Sequence, residues 1–397
     1  MLNSILLLIS LLLSTKFMIL SIYSLIPYAL LLANVCNFLI ILDNYKKVLC
    51  LSNERKYAVI FFTLSLCVIN ISKLNDSISI GDVIYPTDIH LLLSLIAILV
   101  LSKKNILLTV KWYLNVIAII CFLGLVAYIC NYLNIIDPTG LVVAPDHAKK
   151  LGYASLYGIA YYPSWIHLPF GFTRFASVFW EPGTFGLYLI FLLCIEYVFF
   201  QIEKERRVSI LRISIFLISG MLSFSALFYI ILVILIILTF NWFKTRNILL
   251  LCLCTMIFLL LFNQLYELIL YRLSYDPDRG FVGNNRSGAF SFYLDAVKNG
   301  SLINALFGFG PNAEFNADST PIFIKFFQRG IIGGTLLLLG YLSLAINSGY
   351  RKLLLVMLLS FVALAQIEGA LSLLFFILAV LGLSDDNQSK RVVKCTT

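Results

Sequence analysis

The sequence predicts an all-α integral membrane protein, a single polytopic domain (residues 1–397) of about twelve transmembrane helices. Of the 397 residues, 61% are hydrophobic and only 12% are charged, and the mean hydropathy is +0.96. Soluble domains are roughly half apolar and a quarter charged. The apolar residues also form runs long enough to cross the hydrocarbon core of a bilayer, which takes about 17 to 25 residues for each helix.

Twelve apolar segments account for the chain in order. They cover roughly residues 2–14, 17–42, 57–73, 86–102, 106–134, 182–201, 208–221, 224–241, 247–269, 321–348, 353–367 and 369–384. The first segment lacks the basic flank and the small-residue cleavage site of a signal peptide, so we expect it to be a retained helix.

The basic residues predict how the helices are oriented. With both termini in the cytoplasm, eighteen of the 29 lysines and arginines fall on the cytoplasmic side, as the positive-inside rule requires. They lie in short clusters between apolar runs. The net charge of +9 therefore indicates membrane topology, and no nucleic-acid partner is expected.

Two long outer segments hold most of the remaining positive charge. They run from about residue 135 to 181 and from about residue 270 to 320. Nine of the eleven predicted outer lysines and arginines lie in or beside them. Long loops cross the membrane regardless of charge, and binding sites are commonly built on loops. We therefore expect the functional surface at the outer face of the membrane.

The first outer segment ends in the stretch GFTRFASVFWEPGTFGL, residues 171–187. Arg174 and Glu181 stand seven residues apart there, just before an apolar helix that Pro182 begins. One interpretation is the edge of an active site. In the other, Glu181 is a first-turn carboxylate that interacts favourably with the helix dipole, and Arg174 is a side chain that reaches to the interface. The residues alone leave both interpretations open.

The second outer segment contains three arginines, Arg272, Arg279 and Arg286, spaced by seven residues. Proline and glycine interrupt the stretch between them, so the spacing is not a helical stripe. From Asn285 to Asn299 the pattern changes to that of an amphipathic helix with Arg286 in its first turn. An arginine at that position offers a phosphate both guanidinium and backbone donors, while a solvated surface is the alternative.

The same segment closes with a tight turn and two carboxylates. Residues 308–312 read GFGPN and follow a loop helix, so they do not predict a dinucleotide site. Glu314 and Asp318 come before the apolar segment that starts at Pro321, and either carboxylate could act as a general base or cap a helix. No His, Cys, Asp or Glu group has convincing metal-ligand spacing, so neither a metal nor a cofactor is expected.

Three stretches in this order resemble the O-antigen polymerase and O-antigen ligase family of bacterial membrane glycosyltransferases. The first arginine motif of that family, at the head of a span, is similar to RFASVFWEPGTFGLYL from Arg174. The family's second loop resembles NNRSGAFSFYLDAV followed by LFGFGPN. The span that closes that loop is similar to TPIFIKFFQRGIIGGTLLL. The resemblance implies a polytopic helical bundle like that of GT-C glycosyltransferases.

The resemblance also implies a reaction, a metal-independent inverting transfer at the outer face of the bacterial cytoplasmic membrane. A glycan growing on polyprenyl pyrophosphate would pass to the next lipid-linked repeat unit. The implied phosphate-binding residues are Arg174, Arg286, Arg272 and Arg279. The implied carboxylates that orient or deprotonate the acceptor hydroxyl are Glu181, Asp318 and Glu314. The expected partners are the lipid-linked oligosaccharides, the bilayer, a flippase and a regulator of chain length.

Two alternatives remain. A ligase of the same family usually has a histidine shortly before the closing span, where this chain has Asp318 and Ser319, and this difference favours the polymerase. A flippase or exporter of lipid-linked sugars would need charged groups near the middle of the bundle. Charges deep in the spans are few, which counts against transport. Five such residues each fall toward a predicted helix end: Glu196, Arg212, Lys111, Glu267 and Glu368.

Overall fold

The structure is a computed structural model. It describes residues 1–15, 17–71, 86–143, 152–164, 173–179, 181–202, 206–239, 275–276, 280–281, 287–310, 313, 315, 321–364 and 369–383. All structural statements below concern these residues.

The described part of the chain is mostly helical. The helices are α1 (Leu2–Ser14), α2 (Met18–Ile22), α3 (Ile26–Asp43), α4 (Tyr45–Leu49), α5 (Asn53–Ile71), α6 (Pro86–Val100), α7 (Lys103–Tyr132), α8 (Pro182–Ile202), α9 (Arg206–Leu222), α10 (Ala226–Thr239), α11 (Ser287–Asn299), α12 (Leu302–Phe307), α13 (Pro321–Asn347), α14 (Arg351–Leu364) and α15 (Ala370–Gly382). The strands are β1 (Gly140–Val143), β2 (Gly152–Leu156), β3 (Ala160–Pro163), β4 (Tyr275–Asp276) and β5 (Gly280–Phe281).

Every predicted apolar segment that the structure describes contains a helix. The ninth segment, residues 247–269, lies outside the described residues. Four helices are long and apolar enough to cross a membrane, namely Ile26–Asp43, Lys103–Tyr132, Pro182–Ile202 and Ile322–Asn347. The architecture is mostly helical and compatible with a membrane protein, and the number of spans stays a prediction.

The second predicted segment, residues 17–42, is two helices and not one. Between α2 and α3 the backbone of Ser24 has a φ of 53°, in the left-handed region, which an α-helix excludes. Pro27 lies in the first turn of α3, where its missing N–H costs nothing. A run of apolar residues continues through this turn, which is why hydropathy alone did not reveal it.

The first long loop contains a small antiparallel sheet in the order β1-β2-β3, which the all-α prediction did not include. Tyr153 pairs with Pro163, and Gly140 pairs with Ser155. The strands are rich in tyrosine and valine, whose side chains strands favour. The sheet continues beyond β3, because Tyr161 and the 176–177 backbone exchange hydrogen bonds of 2.8 and 3.1 Å.

The centre of the bundle is α15. All but one of its residues are buried, and they are apolar except for Ser372. Its first turn meets the end of α1, where a Cβ on Gly369 would lie 2.6 Å from the Ser14 carbonyl oxygen. Ser14 Oγ also lies 2.8 Å from His90 Nε2 on α6. With 13 to 15 residues each, these helices are about 20 Å long, shorter than the roughly 30 Å hydrocarbon core.

The long helix α13 is broken at Gly330, where φ is 66° and ψ is −178°. The break frees carbonyl groups of the preceding turn. The Phe309 N–H donates to the Phe327 carbonyl at 2.9 Å, and the Gly310 N–H donates to the Gln328 carbonyl at 3.2 Å. The tight turn predicted at residues 308–312 therefore docks onto α13 through its first three residues.

Candidate functional site

The segment Thr173–Phe179 holds Arg174 against the turn between α9 and α10. Arg174 is half-buried, and its Nε donates to the Ser223 carbonyl at 3.2 Å. The next residue, Phe175, donates its N–H to the Leu222 carbonyl at 2.9 Å. On the other side, the Tyr128 hydroxyl donates to the Thr173 carbonyl at 2.6 Å. The guanidinium is thus held by the turn after α9, and the backbone on either side of Arg174 is held by α9 and α7.

Phenylalanine side chains fix this segment to the bundle. Phe175 and Phe179 are buried, and their ring centroids lie 5.6 and 5.1 Å from that of Phe185 on α8. The Phe179 ring lies 5.8 Å from that of Phe17 and 4.8 Å from that of Tyr188. These distances are typical of favourable aromatic pairs. The apolar residues that flank Arg174 in sequence therefore anchor its backbone.

Glu181 lies directly before α8 and takes part in starting the helix. Its Oε2 accepts a hydrogen bond from Thr184 Oγ1 at 3.0 Å, and its carbonyl accepts the Phe185 N–H at 2.9 Å. A Cβ on Gly183 would lie 3.5 Å from Glu181 Oε1, so the carboxylate covers the first turn. The positive end of the helix dipole stabilises a carboxylate there. The helix-start role predicted from the sequence is present. The side chain is only half-buried, so the carboxylate is also accessible to a ligand.

Tyr153 on β2 brings Arg174 and Glu181 into one site. Its side chain is only 1% exposed and packs with Met18 and Tyr161. Burial raises the pKa of the Tyr153 phenol, the Glu181 carboxylate raises it further, and the Arg174 guanidinium lowers it. The phenol therefore lies within electrostatic range of both charged groups. With a raised pKa it stays protonated at neutral pH and can donate a hydrogen bond.

The other candidate residues lie outside the described part of the chain. These are Arg272, Arg279, Arg286, Glu314 and Asp318. The structure does describe the helix that follows Arg286. This helix, α11 (Ser287–Asn299), confirms the predicted amphipathic helix and packs its rings on α13, with Tyr293 stacked 5.9 Å from Phe323. Among the described residues, no group of three or more His, Cys, Asp and Glu side chains could hold a metal ion.

Two buried ion pairs were not foreseen. In the first, Arg212 and Glu196 form a bidentate ion pair. Arg212 Nε donates to Glu196 Oε2 at 3.0 Å, and Arg212 Nη2 donates to Glu196 Oε1 at 2.7 Å. Asn115 Oδ1 accepts from Arg212 Nη1 at 2.8 Å, and Ser209 Oγ donates to Glu196. Both charged side chains are almost fully buried. The sequence identified Glu196 and Arg212 as ionisable residues of spans but gave no sign that they pair.

The second pair joins Arg329 of α13 to Asp88 of α6. Arg329 Nη2 binds Asp88 Oδ1, and Arg329 Nη1 donates to Ser65 Oγ on α5 at 3.1 Å. Arg329 is 2% exposed and Asp88 is 5% exposed. An arginine nine residues into an apolar helix was the available signal, because a buried charge in a membrane helix needs a partner. Its partner is 241 residues away in sequence, so the sequence alone does not identify it.

The fold is that of a mostly helical bundle compatible with a membrane protein, and its candidate site combines a guanidinium, a carboxylate and a phenol near the start of α8. Comparisons of the chain with protein-family models, with curated proteins and with solved structures found no match in any of the three.

Proposed function

We propose that the protein polymerises lipid-linked oligosaccharide repeat units of an O-antigen, capsule or exopolysaccharide. The observation that carries the proposal is the convergence of Arg174, Glu181 and Tyr153 at the start of α8. The family resemblance of the sequence around Arg174 supplies the reaction. The proposed place is the outer face of a bacterial cytoplasmic membrane, where both long loops are predicted to lie.

The chemistry assigned to these residues follows from the charge of the leaving group. The acceptor hydroxyl attacks the anomeric carbon of the growing glycan, and the bond from that carbon to polyprenyl pyrophosphate breaks with inversion. Negative charge builds on the pyrophosphate, and a guanidinium fixed in advance stabilises it without reorganisation. The Ser223 carbonyl supplies that fixation for Arg174. In the proposal, Arg286 adds a second guanidinium from the second loop, with Arg272 and Arg279 behind it.

A carboxylate completes the proposed mechanism by orienting or deprotonating the acceptor hydroxyl. Glu181 is the described candidate, because its carboxylate lies within electrostatic range of the same phenol as Arg174. Asp318 and Glu314 are the candidates from the second loop. The protonated Tyr153 hydroxyl supplies a hydrogen bond to the substrate or to Glu181. The proposed partners are polyprenyl-pyrophosphate-linked oligosaccharides in the bilayer, a flippase and a regulator of chain length.

The first test replaces Arg174 with alanine in cells that make the polymer. We expect chain elongation to fall at least about a hundredfold, the loss typical of removing one preorganised donor to a developing charge. The surface-glycan ladder on a gel should shrink to single repeat units while the protein stays in the membrane. The matched control is Arg351→Ala, because Arg351 is an exposed arginine at the start of α14. A wild-type ladder for Arg174→Ala at equal protein level would contradict the site assignment.

Deletion of the gene separates the proposal from its alternatives. Single repeat units on the surface lipid indicate a polymerase, and complete loss of attached glycan indicates a ligase. An exporter would leave the units trapped inside the cell. The exporter is the second candidate because Asp88 and Arg329 form a buried charge pair within the bundle, a feature common on transport pathways.

A further inference from the structure

The two buried ion pairs differ in how completely their hydrogen bonds are made. Arg212 and Glu196 form a bidentate pair and have two further polar partners, Asn115 and Ser209. Arg329 and Asp88 are joined by a single hydrogen bond, from Arg329 Nη2 to Asp88 Oδ1. Arg329 Nε and Asp88 Oδ2 are buried and have no hydrogen-bond partner among the described residues. The Arg212–Glu196 pair therefore makes the fuller set of hydrogen bonds, and the Asp88–Arg329 pair joins its helices with fewer bonds.

The second pair lies directly beside the break in α13. Arg329 is the last residue before Gly330, and its guanidinium donates to Ser65 Oγ. The same Ser65 hydroxyl donates to the Gly333 carbonyl at 2.8 Å. One serine of α5 thus connects the residues on both sides of the break, and Asp88 ties the same point to α6.

The break is also the place where the second loop docks. Gly308 and Gly330 both have positive φ and cross so closely that no side chain fits. A Cβ on Gly308 would lie 2.3 Å from the Gln328 carbonyl oxygen, and one on Gly330 would lie 2.3 Å from the Leu306 carbonyl oxygen. The Phe309 ring stacks on that of Phe327 with a centroid separation of 4.5 Å. The loop cannot keep these contacts unless the backbone at residues 327–330 keeps its broken form.

We propose that the Asp88–Arg329 pair, through Ser65, is a positioning element that holds the α13 break open and so fixes the second loop against the bundle. A buried ion pair adds little net stability compared with apolar side chains of similar size, so its value lies in specifying geometry. If α13 became continuous there, the Phe327 and Gln328 carbonyls would return to helical partners and release the loop. The consequence of this positioning for chain elongation rests on the proposed function, in which Arg286 of the same loop binds the pyrophosphate.

The test measures hydrogen exchange in the full-length protein in lipid nanodiscs by mass spectrometry. The reporter is the peptide that contains the amides of Phe309 and Gly310, which bond across to α13. The main variant is the double replacement Asp88→Leu with Arg329→Met, which removes both charges and avoids an uncompensated buried ion. We expect exchange in the reporter peptide to be roughly tenfold faster or more, while peptides of α15 keep wild-type exchange.

Two comparison variants make the result decisive. Gly330→Ala removes the crossing directly and should accelerate exchange in the same peptide. Glu196→Leu with Arg212→Met removes the bidentate pair and should leave the reporter unchanged. Wild-type exchange at Phe309 and Gly310 in the Asp88 and Arg329 double variant, with Gly330→Ala accelerated, would overturn the proposal. Because exchange needs no activity, accelerated exchange with an unchanged polymer ladder would contradict the role of the fixed second loop in elongation and leave the positioning role standing.

Discussion

Tyr153 is the residue through which the candidate site depends on the sheet of the first loop. Strand β2 places its phenol within electrostatic range of Arg174 and Glu181, and Met18 and Tyr161 pack against the ring. A tyrosine in this position supplies a neutral donor beside a guanidinium and a carboxylate. The sequence alone does not distinguish this ring from the other tyrosines of the same loop, Tyr157, Tyr161 and Tyr162.

Replacing Tyr153 with phenylalanine tests that assignment. The ring and its packing remain, and one donor is lost, so elongation should fall roughly ten- to a hundredfold without loss of folded protein. Because the pKa of Tyr153 is raised above its ordinary value near 10, the ratio of wild-type to variant rates should be constant from about pH 6 to 9. Tyr161→Phe is the control, since Tyr161 is buried in the same sheet and the groups that act on its hydroxyl are Ser155 of β2 and Tyr23 of the turn after α2. Equal rates for both variants would remove Tyr153 from the site.

Glu181 shows how one residue supports two interpretations. Its contacts with Thr184 and Gly183 are those of a carboxylate that starts a helix. Its effect on the Tyr153 pKa places the same carboxylate at the candidate site. The sequence predicted the first role from Pro182, and the second depends on the fold of a loop 28 residues earlier in the chain.

The helices α8 and α9 are tied together by the Arg212–Glu196 pair. Removing one partner leaves a buried charge without compensation, which typically costs about 3 to 5 kcal/mol. Glu196→Gln should therefore lower the thermal unfolding midpoint of the purified protein clearly. The double variant Glu196→Leu with Arg212→Met should unfold close to the wild-type temperature, because neither charge remains. An unchanged unfolding midpoint for Glu196→Gln would mean that the pair does not stabilise the packing of α8 on α9.

Helix positions followed from the sequence because apolar runs and their basic flanks determine them directly. Segments 182–201 and 86–102 agree with α8 and α6 to within two residues. The misses have local backbone causes. Ser24 turns the chain in the left-handed region within an apolar run, and Gly330 breaks α13 at the point where the second loop lies against it. Neither event changes the hydropathy pattern.

The bundle as a whole is arranged around α15, with helices α1 and α6 meeting near its first turn. Which polar groups pair across this bundle could not be read from the sequence. Arg174 finds a carbonyl 49 residues away, and Arg329 finds a carboxylate 241 residues away. Hydropathy predicts where the helices lie in the chain but carries no information on which helices are neighbours.

The most direct test of the proposed polymerase is reconstitution of the purified full-length protein with a polyprenyl-pyrophosphate-linked repeat unit in lipid vesicles. The proposal predicts that the wild-type protein extends the lipid-linked glycan by several repeat units, in the presence of a chelator as in its absence. It predicts that Arg174→Ala yields only the starting unit and that Arg351→Ala extends normally. Folded wild-type protein that leaves the repeat unit unextended, or an Arg174→Ala variant that extends it at the wild-type rate, would contradict the account.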